Sequence, residues 1–91
     1  MEIKWNETKR LTNLRRHGID FADVWQVFEN ETYTRIDDRF DYGEMRFLSL
    51  GLLFGEVIAV SHTEFKGVIR IISARKAEKH EQETYFKEIR D

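Results

Sequence analysis

Three arginines and one glutamate are the side chains whose types and spacing suit chemistry. Arg70 interrupts a β-branched run at residues 68–72, which is typical of a buried strand, and a cation there requires a partner, water or a ligand. Arg75 follows five residues later, and Arg46 begins another predicted strand two residues after Glu44. Guanidinium groups stabilise charge on phosphoryl oxygens and a carboxylate can move a proton, so this set suits reaction at a phosphodiester.

A second group of polar candidates lies on the first predicted helix. Residues 7–17 have helical periodicity, and Gly18 stands where glycine commonly ends a helix. At about 100° per residue, Leu11 and Leu14 fall on one side, which we expect to pack against the rest of the domain. The opposite side is polar and basic, with Lys9, Asn13 and Arg16 in one narrow stripe and His17 at its flank.

The same residues also have a purely structural interpretation. Glu44, Arg46 and Arg70 would then form an ion-pair network, and His17 would cap the C-terminus of a helix. From spacing alone this structural interpretation is the better supported of the two.

The elements that must position these residues predict an α+β domain in the order β-α-α-β-β-β-β-α. Short links between the last three strands imply an antiparallel meander. We expect a mostly antiparallel sheet with the helices packed on one face and a shallow basic cleft on the other. In that arrangement Arg70 points away from the helices because Ile69 and Ile71 point toward them.

Two of the predicted helices have assigned caps and core residues. Asp20 is the expected cap of the second helix, whose core side chains are Phe21, Val24, Trp25 and Phe28 at the spacing i, i+3, i+4, i+7. Ser73 is the expected cap of a last helix over about residues 74–89, which places Arg75 in its first turn.

Composition and charge narrow the classes of function. The 91 residues are expected to form one domain over 1–91, and the lack of cysteine excludes disulfides, iron–sulfur clusters and thiol catalysis. Histidines 17, 62 and 80 lack metal-ligand spacing, so neither a metal nor another cofactor is predicted. No apolar run is long enough for a membrane span and no signal-peptide pattern is present, so a cytoplasmic protein is the expectation. Net charge is +3 over residues 1–19, −6 over 20–45 and +1 over the remainder, so basic segments flank an acidic middle.

The chain resembles the BrnT family of toxins from bacterial type II toxin–antitoxin modules. The residues that carry the resemblance span nearly the whole chain: Trp5-Asn6-Glu7-Thr8-Lys9, Asn13, His17-Gly18, Phe21, Glu44-Met45-Arg46, the block from Arg70 to Ala77, Glu81 and Tyr85. Three positions depart from the family pattern: Asn6 where Asp is frequent, Arg16 where Lys is frequent, and His62 where a tyrosine is expected, so His62 is not treated as catalytic.

The resemblance implies a RelE-like fold and a ribonuclease that cleaves RNA without a metal. The reaction that we expect is attack of the ribose 2′-OH on the adjacent phosphate. It favours His17, Glu44, Arg46, Arg70 and Arg75 as the catalytic set, with His17 or Glu44 transferring protons, and we expect Lys9, Asn13, Arg16 and Lys76 to bind RNA. It also implies a BrnA-like antitoxin, a dimeric DNA-binding protein that neutralises the toxin and represses the operon with it.

Two other functions remain open from the sequence. A non-catalytic module that binds a protein or operator DNA would use the acidic residues 29–44 to accept a basic partner. A small structural subunit would neither cleave RNA nor arrest growth.

Overall fold

Five strands and three helices follow one another in the order β-α-α-β-β-β-β-α. A computed structural model describes residues 1–90. Its elements are β1 Glu2–Lys4, α1 Glu7–His17, a 3-10 turn Phe21–Asp23, α2 Trp25–Glu29, β2 Thr32–Asp37, β3 Arg46–Leu53, β4 Glu56–Phe65, β5 Val68–Lys76 and α3 Lys79–Glu88. The α+β class and the predicted order of elements are confirmed. No helix within these residues is both long and apolar enough to cross a membrane.

The sheet has the strand order β1-β5-β4-β3-β2. Strands β2 to β5 form an antiparallel meander, while β1 joins the far edge parallel to β5. The β3–β4 and β4–β5 links are tight turns in which Gly55 and Gly67 adopt positive φ values of 82° and 79°. The short links therefore produce the pairing that the sequence predicted.

Local signals at both ends fix α1. The Asn6 side chain accepts a hydrogen bond from the Lys9 N–H at 3.0 Å, and Gly18 adopts a left-handed conformation with φ 72°. The Gly18 N–H donates to the carbonyl of Leu14 at 2.9 Å and closes the last turn. The predicted helix over 7–17 is confirmed at both boundaries.

The packing side of α1 differs from the amphipathic expectation. Leu11 and Leu14 are exposed, whereas Asn13 is the buried residue of the helix. The Asn13 amide nitrogen donates to the carbonyls of Ile19 and Ala74, and its amide oxygen accepts from the Ala74 N–H. These bonds hold α1 against the edge of β5 beyond the end of β1, so the helix packs through a polar contact.

The second predicted helix is divided into a 3-10 turn and a short α-helix. Asp20 caps the turn as predicted, accepting from the Ala22 N–H at 2.9 Å. Phe21, Val24 and Val27 are fully buried because three residues per turn align positions i, i+3 and i+6 on one side. Trp25 is 52% exposed, so its expected place in the core is wrong, and Val27 takes that place.

The two faces of the sheet carry separate hydrophobic cores. Ile58 and Val60 of β4 pack with Phe21 and other residues of the α1 and α2 side. Val57 and Ala59 alternate with them and pack on the opposite face with Tyr85 of α3. The expectation that all helices lie on one face is therefore wrong, because α3 covers the other face.

The last helix begins later than the sequence predicted. Ala74 pairs with Val60 inside β5, so Arg75 lies in a strand and Ser73 does not cap a helix. Glu78 is the N-cap of α3 and forms a capping box with Glu81. The pairing with β4 outweighs the local preference of this charged segment for helix.

Candidate active site

Arg46 and Arg70 converge on the carboxylate of Glu44. Arg46 Nε donates to Glu44 Oε2 at 3.1 Å, and Arg70 Nη2 donates to Glu44 Oε1 and Oε2 at 2.9 and 3.1 Å. The hydrogen bond from Arg46 is the main cause that lowers the pKa of Glu44; desolvation opposes it, and the charges of Arg70 and Arg46 add to the lowering. Three of the catalytic residues predicted from the sequence are thus brought together at the surface.

The side chains of Arg46 and Arg70 lie on the face of the sheet that packs against α3. Arg46 lies two residues before Leu48, which belongs to the core under α3, and Arg70 pairs with Thr63 on β4. Because alternate residues share a face, both side chains point to the face that α3 partly covers. The arginine cluster, formed by Arg46 and Arg70 around Glu44, therefore occupies the part of this face that α3 leaves open.

A β-bulge brings Arg75 to the same face. Residues five apart on a regular strand point to opposite faces. In β5, however, Ile71 pairs with His62 and Ser73 pairs with Ser61, which leaves Ile72 as an extra residue. Arg75 therefore shares the face of Arg70, roughly 13 Å further along the strand at about 3.3 Å per residue.

Arg75 is held by Glu81 of α3. Its Nη1 and Nη2 donate to Glu81 Oε1 and Oε2 at 2.7 and 3.0 Å, and the Glu78 N–H donates to the same carboxylate at 2.8 Å. Burial acts to raise the pKa of Glu81, but these hydrogen bonds outweigh it and the pKa lies below its usual value. The buried carboxylate fixes the direction of the Arg75 guanidinium.

Arg39 is a further arginine of this face that the sequence reasoning passed over. Its Nε and Nη2 each donate at 2.8 Å to the carboxylate of Asp37, which is buried at the end of β2. The charge of Arg39 also acts to lower the pKa of Arg75, so the two guanidinium groups lie within electrostatic range of each other. The signal available in the sequence was an acid at a strand end followed two residues later by an arginine.

Tyr42 lies against the Glu44 cluster. The Arg46 guanidinium carbon is 4.0 Å from the centre of the Tyr42 ring, a cation–π contact. The Tyr42 hydroxyl also lies 3.5 Å from Asp37 Oδ2. Tyr42, in the loop between β2 and β3, thus contacts both the Arg39–Asp37 ion pair and the Arg46–Glu44 ion pair.

The remaining predicted residues lie elsewhere. Lys9, Asn13, Arg16 and His17 line a cavity of about 270 Å³ between α1 and residues Ile72 and Ser73. His17 also lines a cavity near Leu53, and Leu53 lies roughly 23 Å from Arg46 along β3 at about 3.3 Å per residue. Neither of these two cavities is lined by the other predicted catalytic residues, Glu44, Arg46, Arg70 and Arg75.

Lys76 lies in the cavity near Leu53 together with His17. Its Nζ is 3.5 Å from Glu56 Oε2, in an exposed ion pair. The four residues predicted to bind RNA therefore occupy the α1 side and one end of the sheet, apart from the arginine cluster.

Within residues 1–90, no group of three or more His, Asp or Glu side chains is arranged to hold a metal ion. His62 is buried in the core, where Ser49 Oγ lies 2.7 Å from its Nε2 and Phe47 stacks on its ring. It is therefore away from the surface that carries the arginines.

The fold and the arginine cluster together define a class of protein, a small α+β domain that presents guanidinium groups and a carboxylate on the open part of an antiparallel sheet. A family model described as "Ribonuclease toxin, BrnT, of type II toxin-antitoxin system" matches residues 5–81. The chain belongs to this family, and it is a ribonuclease toxin of a type II module, which implies an antitoxin partner. The resemblance inferred from the sequence is confirmed. No curated protein matches the chain at a significant level of similarity.

Proposed function

We propose that this toxin is a metal-independent endoribonuclease whose reacting phosphate is bound at Arg46 and Arg70. The observation that carries the proposal is the convergence of these two arginines on the carboxylate of Glu44, with hydrogen bonds of 2.9 to 3.1 Å. Two guanidinium groups at one point supply the positive charge that a pentacoordinate phosphorus transition state requires. Arg75 and Arg39 bind neighbouring phosphates of the same strand.

The proposed reaction is attack of a ribose 2′-OH on the adjacent phosphorus. Glu44 accepts the 2′-OH proton because it is the carboxylate beside the two arginines. The bond to the 5′-oxygen breaks, and that oxygen takes a proton from solvent. The products are a 2′,3′-cyclic phosphate and a 5′-hydroxyl end. His17 has no place in this step, since it ends α1 and neither of the two cavities that it lines includes Glu44 or Arg46.

The RNA strand would extend beyond the reacting phosphate. Lys9 and Arg16 are exposed at the cavity beside α1, and Lys76 is exposed at the end of β5. We assign these three residues to backbone phosphates away from the reaction. Asn13 is left out of this set because its amide is engaged with Ile19 and Ala74.

The antitoxin is proposed to be a BrnA-like dimeric DNA-binding protein that neutralises the toxin and represses their operon. The net charge of −6 over residues 20–45 supports a basic toxin-binding segment in that partner, since opposite charges steer association. Cleavage of RNA by the free toxin would block translation and thereby inhibit growth.

The test is cleavage of end-labelled single-stranded RNA by purified protein with and without EDTA. We expect cleavage that EDTA does not reduce, 2′,3′-cyclic phosphate ends by mass spectrometry, and a loss of about 100-fold in Arg70→Ala. Arg15→Ala is the matched control because Arg15 is exposed on α1, on the other side of the sheet. Cleavage that requires a divalent metal, or equal rates in wild type and Arg70→Ala, would refute the proposal.

The alternative function is a non-catalytic module that binds protein or operator DNA. It predicts intact RNA in the same assay and no growth arrest on induction, whereas a ribonuclease should arrest growth.

A further inference from the structure

Three carboxylates hold arginines on the α3 face, and one of them differs from the others in exposure. The side chains of Asp37 and Glu81 are 2% and 5% exposed, and each binds a single guanidinium through two hydrogen bonds. The side chain of Glu44 is 37% exposed and bridges two guanidinium groups. Exposed ion pairs contribute about 0 to 1 kcal/mol, so the Glu44 contacts are the ones that open at little cost.

The backbone around Glu44 also permits movement. Glu44 follows Gly43 and lies outside the sheet, two residues before the start of β3, so no ladder of backbone hydrogen bonds holds it. Gly43 has a φ of 71°, a conformation that glycine adopts without strain. The carboxylate can therefore leave the two arginines without disrupting β3.

A phosphodiester and a carboxylate present the same kind of acceptor to guanidinium groups. Each offers two oxygens that share a negative charge, and arginine binds both through paired N–H donors. The N–H groups of Arg46 and Arg70 that point at Glu44 are thus already aligned for a phosphate at that position.

We propose that Arg46 and Arg70 form a subsite for one phosphodiester of RNA, and that the Glu44 carboxylate fills this subsite in the free protein. RNA binding exchanges Glu44 for a backbone phosphate. This inference rests on the proposed ribonuclease function and adds to it an internal competitor for the substrate.

The exchange links substrate binding to the base that the reaction uses. The two arginines lower the pKa of Glu44 while they contact it, which makes the carboxylate a weak proton acceptor. Once a phosphate takes the arginines, Glu44 loses that stabilisation beside the bound phosphate. The carboxylate is then a stronger base at the step where it removes the 2′-OH proton.

The experiment measures affinity for an RNA in which every ribose is 2′-O-methylated, since this RNA cannot be cleaved by 2′-OH attack. Glu44→Gln should bind about three- to fivefold more tightly than wild type because it no longer competes for the arginines. Glu44→Asp should also bind more tightly, since its shorter side chain keeps the charge but does not bridge both arginines. Glu29→Gln, the same charge change at the end of α2, should bind within about twofold of wild type.

The outcomes separate this inference from the ribonuclease function. Tighter binding by Glu44→Gln together with slower cleavage of unmodified RNA supports both. If Arg70→Ala weakens binding but neither Glu44 variant tightens it, the inference is wrong and the phosphate site stands. If Glu44→Gln alone tightens binding and Glu44→Asp matches wild type, charge explains the effect and the exchange is refuted. Equal binding by wild type and Arg70→Ala would overturn the phosphate site and the inference together.

Discussion

His62 is buried without a full set of hydrogen-bond partners. Its Nε2 lies 2.7 Å from Ser49 Oγ, which in turn lies 2.7 Å from Thr34 Oγ1. Within residues 1–90 its Nδ1 makes no hydrogen bond, Glu64 Oε1 lies 3.8 Å from it, and Phe28 packs edge-on against the ring. Burial lowers the pKa of His62 to about 4, because a charged imidazole would lose its hydration. The folded protein therefore holds this histidine neutral.

The neutral state of His62 makes stability depend on pH. The unfolded chain takes up the proton near pH 6.5 and the folded chain only near pH 4, so stability is lost as pH falls between these values. We expect the free energy of unfolding in urea to fall by about 2 kcal/mol from pH 7 to pH 5. His62→Gln should remove this slope, and His80→Gln, at an exposed position, should keep it. A wild-type slope that persists in His62→Gln would contradict the assignment.

The direction of some arginine side chains on the α3 face was predictable from the sequence. Arg70 had to point away from Ile69 and Ile71 by strand alternation, and it does. Its partner Glu44 was a catalytic candidate only because a carboxylate can move a proton where arginines bind a phosphate. Arg39 was not predicted because it lies in the acid-rich loop that follows Asp37, and the path of this loop depends on the pairing of β2 with β3.

At the scale of elements, the attachment of α1 to β5 depends on an asparagine. The Asn13 amide bonds to both the N–H and the carbonyl of Ala74, as a neighbouring strand would, where β1 no longer covers that edge. A polar residue on a helix does not reveal this role through periodicity. The sequence therefore assigned Asn13 to RNA and Leu11 with Leu14 to the interior.

Loss of this amide should loosen α1. Asn13→Ala leaves buried groups of Ala74 and Ile19 without partners, so we expect a loss of about 2 to 3 kcal/mol in the free energy of unfolding. Thr12→Ala, at the exposed neighbouring position, should change it by less than about 0.5 kcal/mol. Urea denaturation of the three proteins gives the comparison. Unchanged stability in Asn13→Ala with weaker RNA binding would instead support the role assigned from the sequence.

At the scale of the whole molecule, cores on both faces of one sheet stabilise the domain. Phe21, Val24 and Val27 fill the core on the α1 and α2 side. Tyr85 fills the other core and donates its hydroxyl hydrogen to the Glu31 carbonyl at 3.0 Å. Because β3 and β4 contribute to both cores, loss of either one weakens the entire sheet.

The exposure of Trp25 and the burial of Phe21 make opposite predictions for two aromatic residues of the same segment. Phe21→Ala should cost about 3 to 5 kcal/mol, a large part of the 5 to 15 kcal/mol that stabilises most domains. Trp25→Ala should cost less than about 1 kcal/mol because half of its surface remains in water. Thermal melts read by circular dichroism compare the two. Equal losses would show that the amphipathic helix predicted from the sequence was correct.

The sequence by itself determined the features that depend on adjacent residues. Asn6 and Gly18 set the ends of α1, and the tight turns after β3 and β4 set the antiparallel order of the meander. Strand alternation set the direction of Arg70, and the chemistry of its side chain made it a phosphate-binding candidate.

The tertiary structure decided the features that depend on contacts between distant segments. The bulge at Ile72 turns Arg75 toward the face of Arg70, whereas His17 lies on α1, in cavities that neither arginine lines. The side on which α3 packs was fixed by the apolar residues of β3 and β4 that it covers. Register, bulges and the choice of face arise from pairing across the sheet, and no local pattern in the chain encodes them.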